Sequence, residues 1–461
     1  MDTFVLMKGL NREILRLAIP SILANLTVPL VGMVDIAVAG HLGETGGLAA
    51  ASYIGAIAIG SLLFDLLYWN FSFLRVSTGG LVAQAFGRRD SQECSDIFMR
   101  SVGLALALSI LILAVQWPFQ KLAFLVVRTT PAVHELALQY FFIRIWAAPA
   151  TMSLMAFRGW FVGMQDSLSS MLVDLVVNAV NIAASVTLTF GVGGWVGMGF
   201  DGIAAGTVVA QYSGLVLASL IVAFKYRGMN FRFHRSDSVR MRSFMSMNMD
   251  FFVRSLCFIA IYIGFTTIAA RYGDVFLSVS SIMMKVLMVF SYFTDGFAYS
   301  GEALTGRFIG ERNLSGLRSV VRCVFVWSMA VAALFVVLYA SFGGWMVGVM
   351  TSDPTVSGAC RPFLWWLLLM PPLGCAAFTW DGIYQGATAS KAVRNAMIAA
   401  FLAFFCVYFA GIWLMGIPSS SDGEVFEVPA MNLLMAAYFA HLLIRTVYLS
   451  LRYGKDVLSR V

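Results

Sequence analysis

Ionisable side chains are scarce in this chain, 12% of 461 residues against 60% hydrophobic. That shortage excludes a water-soluble globule, because too little polar surface exists to cover one. Histidine is scarcer still. His41, His134, His234 and His441 are scattered, which favours neither a metal site nor a nucleophilic couple. Cys94, Cys257, Cys323, Cys360, Cys375 and Cys406 show no CxxC pairing and mostly lie in apolar runs, so they read as small buried hydrophobes rather than zinc ligands or a disulfide framework. Nowhere do paired aspartates or a Ser/His couple concentrate as an intramembrane enzyme would need. No catalytic activity, cofactor or metal is therefore expected.

What is present is apolar length. Runs of about 20 residues recur along nearly the whole chain, each able to cross roughly 30 Å of hydrocarbon as a helix. The formal charge of +7 does not point to nucleic acid, since the basic residues lie in short gaps between apolar runs, where they orient a membrane protein. The first run follows Lys8 and Arg12 as a signal sequence would. Because it holds Asn25 and Asp35 and no small-residue cleavage site follows, it reads as a retained first helix.

Charged, Gly and Pro punctuation predicts twelve helices, at 14–39, 47–73, 94–117, 134–158, 167–190, 201–225, 247–270, 276–303, 316–340, 356–384, 392–415 and 430–452. An even count puts both termini on one side. Lys8, Arg12, Arg88, Arg89, the cluster from Lys225 to Arg242, and later Arg307, Arg312, Arg318, Lys391, Arg394, Arg452 and Lys455 fall on alternate connections, against Lys121, Arg128, Arg271 and Arg361 on the others. The termini and the basic connections are thus expected in the cytoplasm of a multi-pass inner (plasma) membrane protein.

A repeat emerges when Leu81–Asp90 (LVAQAFGRRD) is laid on Leu304–Asn313 (LTGRFIGERN), segments read as the loops after the second and eighth helices. The same offset brings Pro131 onto Pro354, Pro149 onto Pro372, Gly159 onto Gly382 and Gly163 onto Gly386. The expected architecture is all-α and polytopic: an N-lobe over 1–225, a basic cytoplasmic linker over 226–246 and a C-lobe over 247–461. Six helices per half place both bundles in the same orientation, related by a pseudo-two-fold axis along the membrane normal, with a cleft between them.

Polar groups at membrane depth mark candidate sites, since a carboxylate there costs about 2.5–3.5 kcal/mol on insertion scales. Asp35, near the outer end of the first helix, shares a face with Gly32, Val28, Asn25 and Ser21, and Pro20 and Pro29 permit that helix to bend. It reads as a protonatable switch, or else as a static pair with a basic side chain. The fifth helix carries Asp174, Asn178, Asn181 and Ser185 on one stripe facing an N-lobe cavity, with plain interhelical hydrogen bonding as the alternative. Lys285, Met288, Tyr292, Asp295, Tyr299 and Glu302 share a face of the eighth helix. Acid with aromatic suits an organic cation in a C-lobe cavity, and buried ion pairing is the competing account. Asp65, Arg75, Arg144, Arg254, Asp381 and Arg445 are the other intramembrane charges, and their pairing is not legible. The 25 methionines suit an adaptable pocket and lipid-facing packing equally well.

Val34–Leu42 (VDIAVAGHL), Phe73–Gly87 (FLRVSTGGLVAQAFG), Trp380–Thr388 (WDGIYQGAT) and Asp295–Tyr299 with Glu302 resemble the DinF branch of the multidrug and toxic compound extrusion (MATE) transporters, and the resemblance covers nearly the whole chain. It implies a two-lobe, twelve-helix secondary exporter that moves organic, mainly cationic and amphipathic compounds outward by alternating access. The coupling ion it implies is the proton, or in some relatives sodium. Asp35 matches the family's first-helix carboxylate, Pro20 its bending proline and Asn181 a fifth-helix asparagine of the same network. Ser185 stands where many relatives carry a second carboxylate, and Gly374 where the sodium-linked branch has an Asp, which favours protons. A monomer in the lipid bilayer handling small organic cations or amphipathic drugs is expected. The rival readings are a sodium-coupled exporter and a flippase for amphipathic or lipid-linked substrates.

Overall fold

The computed structural model describes residues 3–42, 49–126, 130–231, 238–351, 353–418 and 427–461. Arg128, His234, the middle of the basic linker and the side chain of Lys8 lie outside the described residues. Among the described residues there is no strand, and twelve helical spans are long and apolar enough to cross a membrane. They are α1 (Gly9–Leu42), α2 (Ala50–Gly87), α3 (Ser91–Ala114), α4 (Pro131–Gly163), α5 (Ser167–Phe190) and α6 (Asp201–Lys225). The second half comprises α7 (Met241–Ala270), α8 (Asp274–Gly310), α9 (Leu314–Met350), α10 (Pro354–Gly386), α11 (Ser390–Met415) and α12 (Val428–Arg460).

Every predicted helix is present, but most run past the predicted ends because hydrogen bonding of the backbone does not stop where hydropathy falls. The repeated segments read as loops are the clearest correction. The chain stays helical to Gly87 and to Gly310, and only the residues just beyond turn. Two features were not legible: a short helix, Gln116–Val126, after α3, and breaks inside α2 at residues 70–72 and inside α4. The α4 break has a simple cause. Pro149 has no N–H to offer the Ile145 carbonyl, which instead accepts from Ala148, so Ile145–Ala147 tighten into a 3₁₀ turn.

Backbone geometry repeats at the offset found in the sequence. Arg89 and Arg312 adopt left-handed φ of 58° and 54°, and Gln165 and Thr388 do so at 59° and 54°. Asp90 caps α3 by accepting from the Glu93 N–H at 2.9 Å, and Asn313 caps α9 by accepting from the Gly316 N–H at 2.9 Å. Gly159 and Gly163 of α4 lie against the backbone of α2, where a Cβ would strike the carbonyls of Arg75 and Gly79; Gly382 and Gly386 of α10 lie likewise against the carbonyls of Ala298 and Glu302 on α8. Both are Gly-xxx-Gly approaches, the spacing that lets helices close up in lipid where no hydrophobic force drives them together.

The chain forms two compact units, one of Leu23–Asp237 and one of Met1–Ile22 with Ser238–Val461. The first 22 residues, assigned by sequence to the N-lobe, thus pack with the C-terminal half. Asn11 accepts from the Trp327 indole at 3.1 Å, Glu13 pairs with Arg307 at 3.3 Å, and Gly296 of α8 lets the backbone of Ala18 come close. In the other unit, Asp166 ties the ends of α4, α5 and α6 together. It caps α5, accepts from Lys225 Nζ at 2.7 Å and accepts from the Tyr226 hydroxyl at 2.8 Å. Burial alone would raise the Asp166 carboxyl, but the bonds from Lys225, Ser169 and Tyr226 outweigh it and hold the group below the ordinary carboxylate range.

Two outcomes follow from these contacts. Gly382→Val should lower stability by roughly 1–3 kcal/mol, seen as earlier thermal unfolding in detergent, whereas Gly348→Val, where an added Cβ meets nothing within 4 Å, should not. Because the folded-state pKa of Asp166 is depressed, its contribution is present above the unfolded value and lost as pH falls through the folded one. Asp166→Asn should therefore unfold earlier than wild type at neutral pH, with the difference closing in the acid range below pH about 4.

Candidate functional site

In the N-terminal unit, Asp35 is buried, 6% exposed, in the C-terminal part of α1, and its Oδ1 has no hydrogen-bond partner. Ser185 of α5 lies within hydrogen-bonding reach of the carboxylate, and the guanidinium of Arg144 on α4 within electrostatic reach. The rest of the fifth-helix stripe is bonded outward to neighbours. Asn178 Nδ2 donates to Thr27 Oγ1 of α1 at 2.5 Å, Asn181 Nδ2 donates to Thr207 Oγ1 of α6 at 3.0 Å, and the Asn181 Oδ1 is buried without a partner. Ser185 also donates to the Ile203 carbonyl at 3.5 Å. Asn25 and Pro20 are half-buried on α1, and Ser21, next to the proline, donates to the Leu17 carbonyl at 2.9 Å. Such back-bonding, added to the missing proline donor, favours a bend.

Asp174 does not join that cavity. Arg158 of α4 grips it, Nε at 2.7 Å and Nη2 at 2.6 Å from Oδ1, an interhelical ion pair that the reading of this stripe had not included. The pairing was out of reach of sequence because Arg158 stands at the end of an apolar run with nothing to indicate its direction.

Arg144 is the residue sequence named without finding its place. Its Nη1 donates to the Tyr140 hydroxyl at 2.7 Å and to Ser61 Oγ of α2 at 3.5 Å, and the guanidinium lies over the Phe64 ring at 4.7 Å. Besides Asp35, its charge acts on Asp65 and Tyr68 of α2. Ser61, Phe64, Asp65 and Tyr68 fall at helical spacing on one face, and that spacing is the signal that would have marked α2 as part of the site.

In the C-terminal unit the eighth-helix stripe divides. Lys285 is exposed, Met288, Tyr292, Asp295 and Tyr299 are half-buried, and Glu302 is fully buried. Alongside lies a cluster that sequence left unassembled. Arg254 of α7 donates to Asp381 Oδ2 of α10 at 2.6 Å, and Arg445 of α12, 2% exposed, has its Nε 3.8 Å from Oδ1. The Arg445 guanidinium also faces the Phe378 ring at 5.4 Å, and its charge acts on Asp295. One carboxylate thus answers two guanidinia. Trp380 and Tyr384, flanking Asp381, donate to Ser450 and to the Leu449 carbonyl and lock α10 onto α12. At Gly374, Met370 and Phe378 crowd the position where a side chain would grow.

Among the described residues no group of three or more His, Cys, Asp or Glu could hold a metal ion. Titratable groups at membrane depth can instead bind and release protons or meet a charged ligand, the chemistry of a carrier. Twelve apolar spans with a repeated half and charges kept at depth define a polytopic transport protein. The chain belongs to the MatE family, whose model matches residues 20–187 and 251–410. It is 32% identical over 407 residues to DNA damage-inducible protein F of Escherichia coli strain K12, covering 88% of this chain and 86% of that protein. It is 22% identical over 418 residues to a probable multidrug resistance protein NorM of Photorhabdus laumondii, covering 88% and 86%. Among solved structures, a MATE in the bent conformation superposes with a TM-score of 0.84 at 16% identity, over 100% of this chain and 98% of that one. The Vibrio cholerae MATE transporter VcmN in the bent form gives 0.82 at 14% identity, over 99% of each. These are transporters, not enzymes.

Removing one partner of a buried charge cluster leaves the others uncompensated. Asp381→Asn should destabilise the protein by roughly 3–5 kcal/mol, measured as a lowered unfolding temperature in detergent, with Asp381→Glu recovering most of the loss.

Proposed function

We propose that the protein exports organic, mainly cationic and amphipathic compounds in exchange for protons by alternating access. The observation that carries the reading is Asp35: a buried carboxylate with an unpartnered oxygen, in a helix whose first part packs with the other unit. Relatives named as multidrug resistance proteins support the substrate class. Asn25, Asn178, Asn181 and Ser185 line the N-lobe site around Asp35, and Tyr292, Asp295, Tyr299 and Glu302, with Lys285 at the rim, offer a cation a carboxylate and aromatic faces in the C-lobe.

The mechanism begins when Asp35 takes a proton from the outside and loses its charge. The outer part of α1 then has no charged carboxylate to keep it straight, bends near Pro20, and narrows the cavity so that substrate leaves. Reopening to the cytoplasm returns the proton. Antagonism between proton and substrate is reciprocal, as linkage requires. Each proton moving inward adds about 2.3 kcal/mol per 100 mV of membrane potential.

Cytoplasmic termini and a plasma-membrane location are supported by the basic connections. Trp117, Trp195, Trp345 and Trp413, near the ends of their spans or just beyond them, are exposed as interface anchors are. Ser185 and Gly374, in place of the carboxylates that the sodium-linked resemblance would put there, favour protons over sodium. A monomer suffices, since both lobes come from one chain.

The test is substrate efflux from proteoliposomes with proton and sodium gradients imposed separately. Efflux should follow the proton gradient and fall at least about tenfold in Asp35→Asn, the loss expected when a charge worth about 1.4 kcal/mol or more of coupling is removed. Undiminished transport by Asp35→Asn under a pH gradient, or transport driven by sodium alone, would overturn the assignment.

A further inference from the structure

In the N-terminal unit one guanidinium lies within electrostatic reach of two carboxylates and is bonded to neither. Arg144 gives its hydrogen bonds to Tyr140 and Ser61 and its face to Phe64, while Asp35 on α1 and Asp65 on α2 both feel its charge. Among the described residues it has no ion pair within 4.0 Å. Asp35 is buried, whereas Asp65 is exposed at the middle of a spanning helix, where a carboxylate persists only if it faces water. The ionisable groups around Asp35 are few. Asp65 and Tyr68 come from α2, Tyr140 and Arg144 from α4, and Tyr212 of α6 stands near Tyr68. From α5 the stripe residues Asn178, Asn181 and Ser185 are neutral.

We propose that Arg144 is the counter-ion that sets the exchange at one proton per monovalent cation, by neutralising one of the two carboxylates and leaving a single surplus negative charge. Asp35, Asp65 and Arg144 sum to one negative charge when both acids are ionised. A cation satisfies that surplus and so does a proton, but both together exceed it, which makes them competitors without requiring them to touch the same atom. The tether of Arg144 to Tyr140 and Ser61 keeps the guanidinium off both carboxylates, so its charge serves whichever of them remains ionised. Arg144 acts through the acids and is a positioning residue.

This inference rests on the proposed proton–cation exchange, and charge arithmetic separates the two. Purified protein in weakly buffered detergent is titrated with a fluorescent monovalent organic cation, while affinity and protons released per cation bound are measured across pH. Wild type should release close to one proton per cation; no release at any pH would overturn the exchange reading itself. Arg144→Gln leaves two surplus charges, so release should rise above one, and the midpoint of binding against pH should move to higher pH. Arg144→Lys should restore the wild-type count. Asp65→Asn leaves none, and cation affinity should drop about tenfold, although Asp35 is intact. Arg144→Gln with Asp65→Asn returns the sum to one negative charge, and both readouts should return with it. An unchanged proton count and pH midpoint in Arg144→Gln, or unchanged affinity in Asp65→Asn, overturns the proposal. Should Arg144→Gln fail to fold, the Asp65→Asn measurement decides alone.

Discussion

Charge inside hydrocarbon has to be answered by other charge, by water or by a proton, and the two halves of this chain answer in opposite ways. In the C-terminal half Asp381 is over-answered: two guanidinia converge on it, one in contact and one just beyond, with rings packed around them. In the N-terminal half Asp35 is under-answered, with a free oxygen and a guanidinium that is engaged elsewhere. Both centres leave buried polar atoms without a hydrogen bond, Asp381 Oδ1 and Arg445 Nε and Nη2 in one and Asp35 Oδ1 in the other, so they differ in charge balance and not in hydrogen bonding. Two guanidinia facing one carboxylate hold it ionised, whereas a buried carboxylate with no paired cation can be answered by a proton.

The repeat explains how such different centres are carried on similar frames. The glycine pairs of α4 and α10, the left-handed residues that end α2 and α8, and the Asp or Asn caps that follow are all backbone devices, and all recur at one offset. Side chains inside the frame do not repeat. Glu302 occupies in α8 the place Gly79 holds in α2, on the carbonyls that the glycines of α10 and α4 approach. Close helix contact in lipid depends on small residues and leaves the polar inventory free to diverge.

That division also sets what could be read from sequence. Span number, order and the repeat were legible because hydropathy and glycine spacing act locally. Charge partners were not, since Arg158 and Asp174, or Arg254, Asp381 and Arg445, come from different helices whose rotation no single-helix pattern records. Asp35 was identifiable by depth alone. Arg144 was visible as a charge out of place, yet its role needed Ser61, Phe64 and Tyr140 in space. The helical ends of α2 and α8 were misread as loops because the glycines and polar residues before Gly87 and Gly310, among them Gly79, Gly80, Thr305 and Gly306, lower hydropathy before the helix stops.

One helix belongs to both packing units, and its division falls between Ile22 and Leu23, two residues beyond Pro20. Asn11, Glu13 and Ala18 hold its first part to α8 and α9, while Thr27 and Asp35 hold its second part to α5 and its neighbours. A bend at the division sacrifices little hydrogen bonding. Pro20 has no N–H to lose, and the Leu17 carbonyl already has the Ser21 hydroxyl as a second donor. Under the proposed exchange, a low mechanical cost is what would let a change of charge at Asp35 move the helix, and the proline and the under-compensated carboxylate would serve it together.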